Sequence, residues 1–421
     1  MCHRNVVNFL STMRERPGVV ADDVLVAVTT LSFDIAGLEL FLPLTVGACV
    51  EVATREISTD GARLARLLKQ AGATVMQATP ATWRLLIESG WEGQAGFRAL
   101  CGGEPLPADL AGRLLRLTDE VWNMYGPTET TIWSTCARIR SGASPISIGT
   151  PIGNTVCRVL DPAGQQLPVG VAGELFIGGG GVAKGYLGQP ELTAQRFVSD
   201  PAGLDPAMPF YRTGDLVRQH ADGQLEHLGR LDDQVKVQGF RIELGEIETV
   251  LGAMPAVAEA VAAVFSEQGG DARLVAYVVY RPGHQPTVSE VRRYLRERLP
   301  AYMVPGLVMQ LDAIPRTDNG KVNRRALPAP LGNVAAERRA VPPATPMEVA
   351  VAEAWNALLA VKAVGRFDNF FELGGHSLLS MRAVAAIEQR TGVRIDPRLM
   401  FFQTVEQIAQ HLERRLAVVE L

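Results

Sequence analysis

The spacing of apolar positions changes along this chain, and the changes divide it. From the start to about residue 228, helical-period segments alternate with short apolar runs. The segment Gly61–Gln70 predicts a helix and Ala73–Gln77 a strand. That rhythm predicts a mixed α/β layer structure. Glycine and proline interrupt it at Tyr125-Gly126-Pro127 and Gly178-Gly179-Gly180-Gly181.

A smaller α+β unit is expected over 229–330. Its run Leu274-Val275-Ala276-Tyr277-Val278-Val279 is strand-sized. The predicted helix Val288–Leu299 carries Val291, Leu295 and Leu299 on one face, and Thr287 with Glu290 forms a capping box at its start. The stretch between Leu327-Pro328-Ala329-Pro330 and Val341-Pro342-Pro343 reads as a semi-rigid linker, covering 331–344. Beyond it, Thr345-Pro346-Met347-Glu348 supplies an N-cap, a proline at the first helical position and a capping glutamate. A second signal of this kind, Thr404-Val405-Glu406-Gln407, starts the last helix. Residues 345–421 are therefore expected to form a small helical bundle.

Composition narrows the class. The 421 residues are 47% hydrophobic and 20% charged, enough for two or three soluble cores. A net charge of -4 gives no electrostatic case for nucleic acid or an anionic membrane. Apolar runs are too short to span a bilayer, and Met1-Cys2-His3-Arg4-Asn5 opens no secretory signal. Cys2, Cys49, Cys101, Cys136 and Cys157 are scattered without a C-x-x-C, which predicts reduced thiols in the cytoplasm.

Chemistry concentrates in motifs. Near the C-terminus the run Asp368-Asn369-Phe370-Phe371-Glu372-Leu373-Gly374-Gly375-His376-Ser377-Leu378-Leu379 sets one hydroxyl at the head of an apolar-faced helix. Two glycines before it keep the approach open. Taken alone, a Gly-Gly-x-Ser is also an ordinary helix cap after a turn. No P-loop is present, and Gly178–Gly185 does not fit G-x-G-x-x-G.

Eight other motifs occur in fixed order. They are Phe33-Asp34, Asn123-Met124-Tyr125-Gly126-Pro127-Thr128-Glu129, Gly173-Glu174-Leu175, Tyr211-Arg212-Thr213-Gly214-Asp215-Leu216, Gly229-Arg230-Leu231-Asp232, the run from Gly239 to Glu248, Leu299-Pro300-Ala301-Tyr302-Met303-Val304-Pro305, and Asn319-Gly320-Lys321. Each alone is compatible with turn chemistry. In this order, ending in the serine motif, they resemble an adenylation domain of a nonribosomal peptide synthetase, of the ANL adenylate-forming superfamily, fused to a peptidyl carrier (thiolation) domain.

The resemblance implies a large α/β subdomain over 1–228, a small α+β subdomain over 229–330 and an all-α four-helix carrier over 345–421. It implies formation of an aminoacyl-AMP from an amino acid and ATP with Mg2+. The aminoacyl group would then pass to the thiol of a 4'-phosphopantetheine carried covalently on Ser377. A phosphopantetheinyl transferase and neighbouring condensation or other synthetase domains would be its partners.

The site residues follow by motif. Lys321 would bridge the substrate carboxylate and the α-phosphate; a solvated loop lysine is the plain alternative. Thr128 would donate to phosphates and Glu129 would hold Mg2+. Asn123 would meet the adenine edge, Tyr125 would stack on the ring, and Gly102, Gly103 and Glu104 would line its other face. Asp215, assisted by Arg230, would accept the ribose hydroxyls. Asp232 matches the family's hinge.

Asp34 would pair with the substrate's α-ammonium, which separates amino-acid activators from aryl- and fatty-acid activators; a structural Asp at a helix start is the alternative. The rest of the pocket would be Ile35, Leu38, Gln77, Leu100, Gly102, Met124, Ile132 and Trp133. All but Gly102 are medium to large, leaving little room beyond the substrate's Cα. The set is similar to that of glycine-activating domains, so glycine is expected first and alanine next.

Relative to the family, Gln238 stands where arginine is usual and Asn323 where aspartate is usual. The family's phosphate-wrapping loop would precede His3-Arg4-Asn5, and the large subdomain is expected to be incomplete at its N-terminal side. A catalytically silent remnant serving as scaffold for a carrier loaded in trans is therefore a second reading. A free acyl-CoA ligase is a third, disfavoured by Asp34 and the fused carrier.

Overall fold

The computed structural model describes residues 1–142, 145–201, 203, 208–232, 234–237, 240–265, 273–317, 322–329, 341–359, 361, 363–371, 373, 375, 377–395 and 399–419. Two compact units divide the chain, Met1–Gly239 and Phe240–Leu421.

The first unit holds two sheets. One runs β1 (Val24–Ala27), β2 (Cys49–Val52), β3 (Val75–Ala78), β4 (Arg98–Gly102), β5 (Glu120–Tyr125), β6 (Thr135–Ile139) and β7 (Thr150–Pro151). Its spatial order is β2-β1-β3-β4-β5-β6-β7. The first five strands are parallel, and β6 and β7 return antiparallel.

Strands β3 and β4 are almost continuously buried, as expected when helices cover both faces of a parallel sheet. One face packs on Leu64, Leu68, Trp83, Leu86, Phe97, Leu110 and Leu114. The other packs on Phe9, Met13, Leu38, Leu42, Trp122 and Trp133.

Local signals set the helix ends. The helix Gly61–Ala71 starts where Asp60 accepts from the Arg63 amide and stops at Gly72, whose φ of 61° suits glycine. The neighbouring strand begins at Val75, two residues later than the apolar run suggests.

Alternation of helix and strand stops at β5. The second sheet is antiparallel and collects β8 (Thr155–Leu160), β9 (Ala172–Gly179), β10 (Phe197–Ser199), β11 (Pro209–Gln219) and β12 (Leu225–Arg230). The expected boundary at 228 falls inside β12, which the ladder to β11 ties into this sheet.

In the second unit, strands Val257–Phe265 and Arg273–Tyr280 pair antiparallel, and Leu307–Gln310 adds parallel to the latter. The helix Val288–Arg296 opens with the Thr287/Glu290 capping box and buries Val291 and Leu295. Downstream stand the helices Pro346–Asn356, Ser377–Thr391, Leu399–Phe402 and Val405–Val419. They close on Trp355, Phe370, Leu373, Val384, Ile387, Met400, Ile408 and Leu412.

Thr345 caps the first of these helices, although Glu348 reaches back to the Ala344 amide, one residue beyond the usual box. Thr404 and Gln407 cap the last reciprocally.

Candidate functional site

In open α/β sheets ligands bind beyond the carboxyl ends of parallel strands, because the chain diverges there and leaves a crevice. Several of the predicted site residues of the first unit gather at those ends. Asp34 lies in the turn after β1, Gln77 near the end of β3, Gly102-Gly103-Glu104 at the end of β4, and Met124 to Glu129 at the end of β5. Strand register sets them side by side: Gln77 pairs with Leu100, Cys101 with Asn123, and Gly102 with Met124.

Ile35, Leu38, Leu100, Met124, Ile132 and Trp133 belong to one buried cluster. Gln77 is fully buried among them, its amide nitrogen donating to the Ile35 carbonyl at 2.9 Å and its oxygen accepting from Trp133 Nε1 at 2.8 Å. A Cβ on Gly102 would lie 2.5 Å from Trp133 Cη2 and 2.8 Å from the Met124 carbonyl oxygen. The tryptophan edge therefore occupies the space a side chain at 102 would fill.

Thr131 and Ile132 both sit at positive φ, 68° and 70°, a conformation that β-branched residues avoid. Such strain costs about 1–3 kcal/mol per residue and persists where surroundings over-determine it. Here Thr131 Oγ1 donates to the Gly181 carbonyl at 2.7 Å. Nothing in the residue types signalled this turn.

A second cluster links the two sheets within the unit. Tyr125, at the end of β5, donates its phenol to Asp215 on β11 at 2.5 Å. Arg230 on β12 reaches Asp215 at 2.9 Å, being its direct ladder partner, and also pairs with Asp232 at 2.6 and 2.8 Å. A bulge in β11 between Arg212 and Leu216 breaks the register to β9 and re-aims this stretch. Gly214 is required there: its φ is 76°, and a Cβ would lie 2.8 Å from Asp232 Oδ2.

Burial works to raise the Asp215 carboxyl, but His227, Arg230 and Tyr125 hold it below the usual carboxylate range. The Tyr125 phenol is driven well above its ordinary value by burial and then by Asp215. The pair is thus a phenol donating to a carboxylate. His227, 3.2 Å from Asp215, was not anticipated.

Asn123 is buried and commits its amide nitrogen to the Ser147 carbonyl at 2.8 Å. Thr128 is exposed and opens a short 3-10 turn. Glu129 is buried in that turn and accepts from the Tyr186 hydroxyl at 2.6 Å. Tyr186 was also missed; its one signal was its place after Gly185 in the glycine-rich stretch.

Lys321 and Gln238 lie outside the described residues. Ser377 is the first residue of the helix Ser377–Thr391. Gly374 and His376 fall outside the described residues. At Gly375 a Cβ would lie 2.3 Å from the Phe370 ring, and its amide donates to the Phe370 carbonyl. Glycine is needed at 375 for close packing.

The donor chemistry fits the implied groups. Mg2+ is typically held by one or two carboxylates together with substrate phosphates, so Glu129 suffices without a preformed cage. Among the described residues no group of three or more His, Cys, Asp or Glu could hold a metal. A phosphodiester on Ser377 would sit at the positive end of a fifteen-residue helix. No helix among the described residues is long and apolar enough to cross a membrane.

Three family models match in succession: AMP-binding enzyme over 1–187, its C-terminal domain over 246–321, and a phosphopantetheine attachment site over 349–412. A dimodular nonribosomal peptide synthase of Bacillus subtilis (strain 168) is 44% identical over 412 residues, 97% of this chain and 17% of that protein. The chain is a nonribosomal peptide synthetase adenylation domain fused to a carrier domain. Solved structures agree. A holo protein containing adenylation and carrier domains, bound to a vinylsulfonamide inhibitor, superposes with a TM-score of 0.74 at 28% identity, over 94% of this chain and 66% of the other. A four-domain holo synthetase bound to AMP and glycine is 42% identical with a TM-score of 0.54, over 97% of this chain and 31% of the other. The adenylation–carrier chain thus spans less than a fifth of the first relative and about a third of the four-domain synthetase.

Proposed function

We propose that this adenylation–carrier chain activates glycine, with alanine as the next best substrate, for loading onto its own Ser377. The observation that carries the substrate reading is the Trp133 edge lying over Gly102, inside a wall of Ile35, Leu38, Leu100, Met124 and Ile132. A wall this full leaves space for hydrogen or a methyl at the substrate's Cα. The neighbour bound to AMP and glycine supports the same reading.

In this scheme Asp34 takes the α-ammonium and orients the carboxylate toward ATP. The carboxylate oxygen attacks the α-phosphorus, an oxygen–phosphorus bond forms, and pyrophosphate leaves with the bond that broke. Asp215, held by Arg230 and Tyr125, accepts the ribose hydroxyls, and Asn123 and Gly102 to Glu104 flank the base. Thr128 and Lys321 meet negative charge on the phosphates, where fixed donors lower the barrier most. Glu129 would hold Mg2+, which neutralises phosphate charge. Phosphopantetheine, once on Ser377, supplies the thiol that accepts the aminoacyl group with loss of AMP. Organisation as 1–228, 229–330, 331–344 and 345–421 remains our proposed division of labour.

Amino-acid-dependent exchange between ATP and pyrophosphate, run across the proteinogenic amino acids, tests the substrate. Glycine should lead and alanine follow; a large or charged amino acid in first place would sink the pocket assignment. Intact mass after incubation with a phosphopantetheinyl transferase and coenzyme A tests the carrier. Ser377→Ala should abolish the pantetheine increment, and continued labelling would refute the site.

A further inference from the structure

Glu39 belongs to no motif that the site has absorbed, yet it is fully buried in the wall beside the pocket. It lies in the first turn of the helix Ala36–Val46. Its Oε2 accepts from the Val28 and Thr29 amides at 2.8 and 3.0 Å, and its Oε1 accepts from the Thr29 hydroxyl and from Gln77 Nε2, the latter at 2.9 Å. Val28 and Thr29 follow β1, and Gln77 is on the adjacent β3, so the carboxylate bridges the two strands where the sheet's connection order reverses.

The chain of donors has one direction. A glutamine amide has two N–H donors at one end and an acceptor oxygen at the other. Both groups facing the Gln77 nitrogen, the Glu39 carboxylate and the Ile35 carbonyl, are acceptors. The group facing its oxygen is the Trp133 indole N–H, which can only donate. Flipping the amide would set donor against donor and acceptor against acceptor. Trp133 is in turn the ring lying over Gly102.

We propose that Glu39 is a specificity-determining positioning residue, which orients Gln77 and through it locks Trp133 as the floor of the substrate pocket. The proposal rests on the glycine reading for its substrate, but the relay is a property of the folded chain. Breaking it frees the indole to leave its seat over Gly102 and opens room for a methyl.

The test uses the full chain with 15N-labelled tryptophan indoles, the Trp133 signal being assigned with Trp133→Phe. Glu39→Gln and Gln77→Met should each speed hydrogen exchange of the Trp133 indole at least about tenfold. Each should also lower the glycine-to-alanine ratio of kcat/KM by about tenfold, within the range one methyl is worth. The double variant should lose no more selectivity than either single one, since both cut one relay. If Glu39→Gln keeps wild-type exchange and a wild-type ratio, Glu39 only supports the Thr29 backbone and the proposal is overturned. Should Glu39→Gln fail to fold, Thr29→Val removes one bond to Glu39 and keeps all three relay side chains. It must then raise indole exchange, and an unchanged rate overturns the proposal equally. A wild-type chain that prefers another amino acid defeats the glycine reading instead, and the exchange rates alone then decide the relay.

Discussion

Tyr125 and Asp215 stand 90 residues apart in sequence and in different sheets, yet the phenol of one donates to the carboxylate of the other at 2.5 Å. The bond joins the end of a parallel strand to a bulged antiparallel one, and Arg230 fixes it from the far side. Two sheets thereby present one preorganised acceptor toward the proposed nucleoside site.

Removing that donor should weaken nucleotide binding without dismantling the site. Tyr125→Phe is expected to lower AMP affinity by about 1.5–3 kcal/mol, the scale of a hydrogen bond to a charged group. Asp215→Asn should cost more, about 2–5 kcal/mol, because it removes the charge of the acceptor on which Tyr125, His227 and Arg230 converge. Calorimetric titration with AMP checks both, and equal affinities in all three proteins would remove Asp215 from the nucleoside site.

Gly102→Ala should destabilise the first unit by about 1–3 kcal/mol, since its Cβ must displace the Trp133 ring or the Met124 backbone. Denaturant unfolding followed by tryptophan fluorescence reads this unit well, because Trp83, Trp91, Trp122 and Trp133 lie in it and only Trp355 lies elsewhere.

Glu39 makes stability depend on pH in an unusual direction. Burial pushes its carboxyl up, beyond what the bonds from Thr29, Gln77 and Val28 restore. Its unfolded value is 4.5, so between that pH and the higher folded value the unfolded chain gives up the proton first. The group's contribution is full below 4.5 and is lost as pH rises through the folded value. Stability of Glu39→Gln should therefore fall less than wild type on going from pH 4.5 to 7, as measured by denaturant unfolding at each pH.

At the opposite ends of the strands, Asp23 shows the reverse sign. Burial works against its ionisation, but Arg98 at 2.5 Å, the Val20 amide and Thr74 hold it below 3.8. Its contribution is present above that pH and lost as pH falls through the folded value. Arg98→Met leaves the carboxylate buried without its cation and should cost about 3–5 kcal/mol. Unfolding midpoints at pH 7 and pH 3 should converge in this variant relative to wild type.

In the carrier, Gly375→Ala should be as damaging to modification as the loss of the serine. The new Cβ meets the Phe370 ring, which packs edge-on against Trp355. Loss of the bundle's helical signal together with loss of the pantetheine increment is expected. A folded, fully modified variant would show that the packing at 375 is dispensable.

Much of this architecture was legible because its signals are local. Thr287, Thr345 and Thr404 cap helices where the sequence placed them, since a cap needs partners only three or four residues away. The antiparallel sheet from Thr155 to Arg230 was less legible. Its strands pair antiparallel, with the seven-residue helix Pro190–Arg196 among them in place of the regular strand–helix alternation that marks the parallel sheet. Glu39, Tyr186 and His227 escaped as well. Each gains its role from a side chain 38, 57 or 12 residues away, brought near by the sheets.

By itself the sequence determined the order of motifs, the capped starts of helices and the residue types available at each strand end, because these depend on short-range sterics and on composition. Only the tertiary structure decided which buried polar groups meet. Gln77 could have been a solvated strand residue and Glu39 a surface helix residue. Excluding water from the crevice obliges each buried donor and acceptor to find a partner, and the fold supplies Gln77 with Glu39 and Trp133.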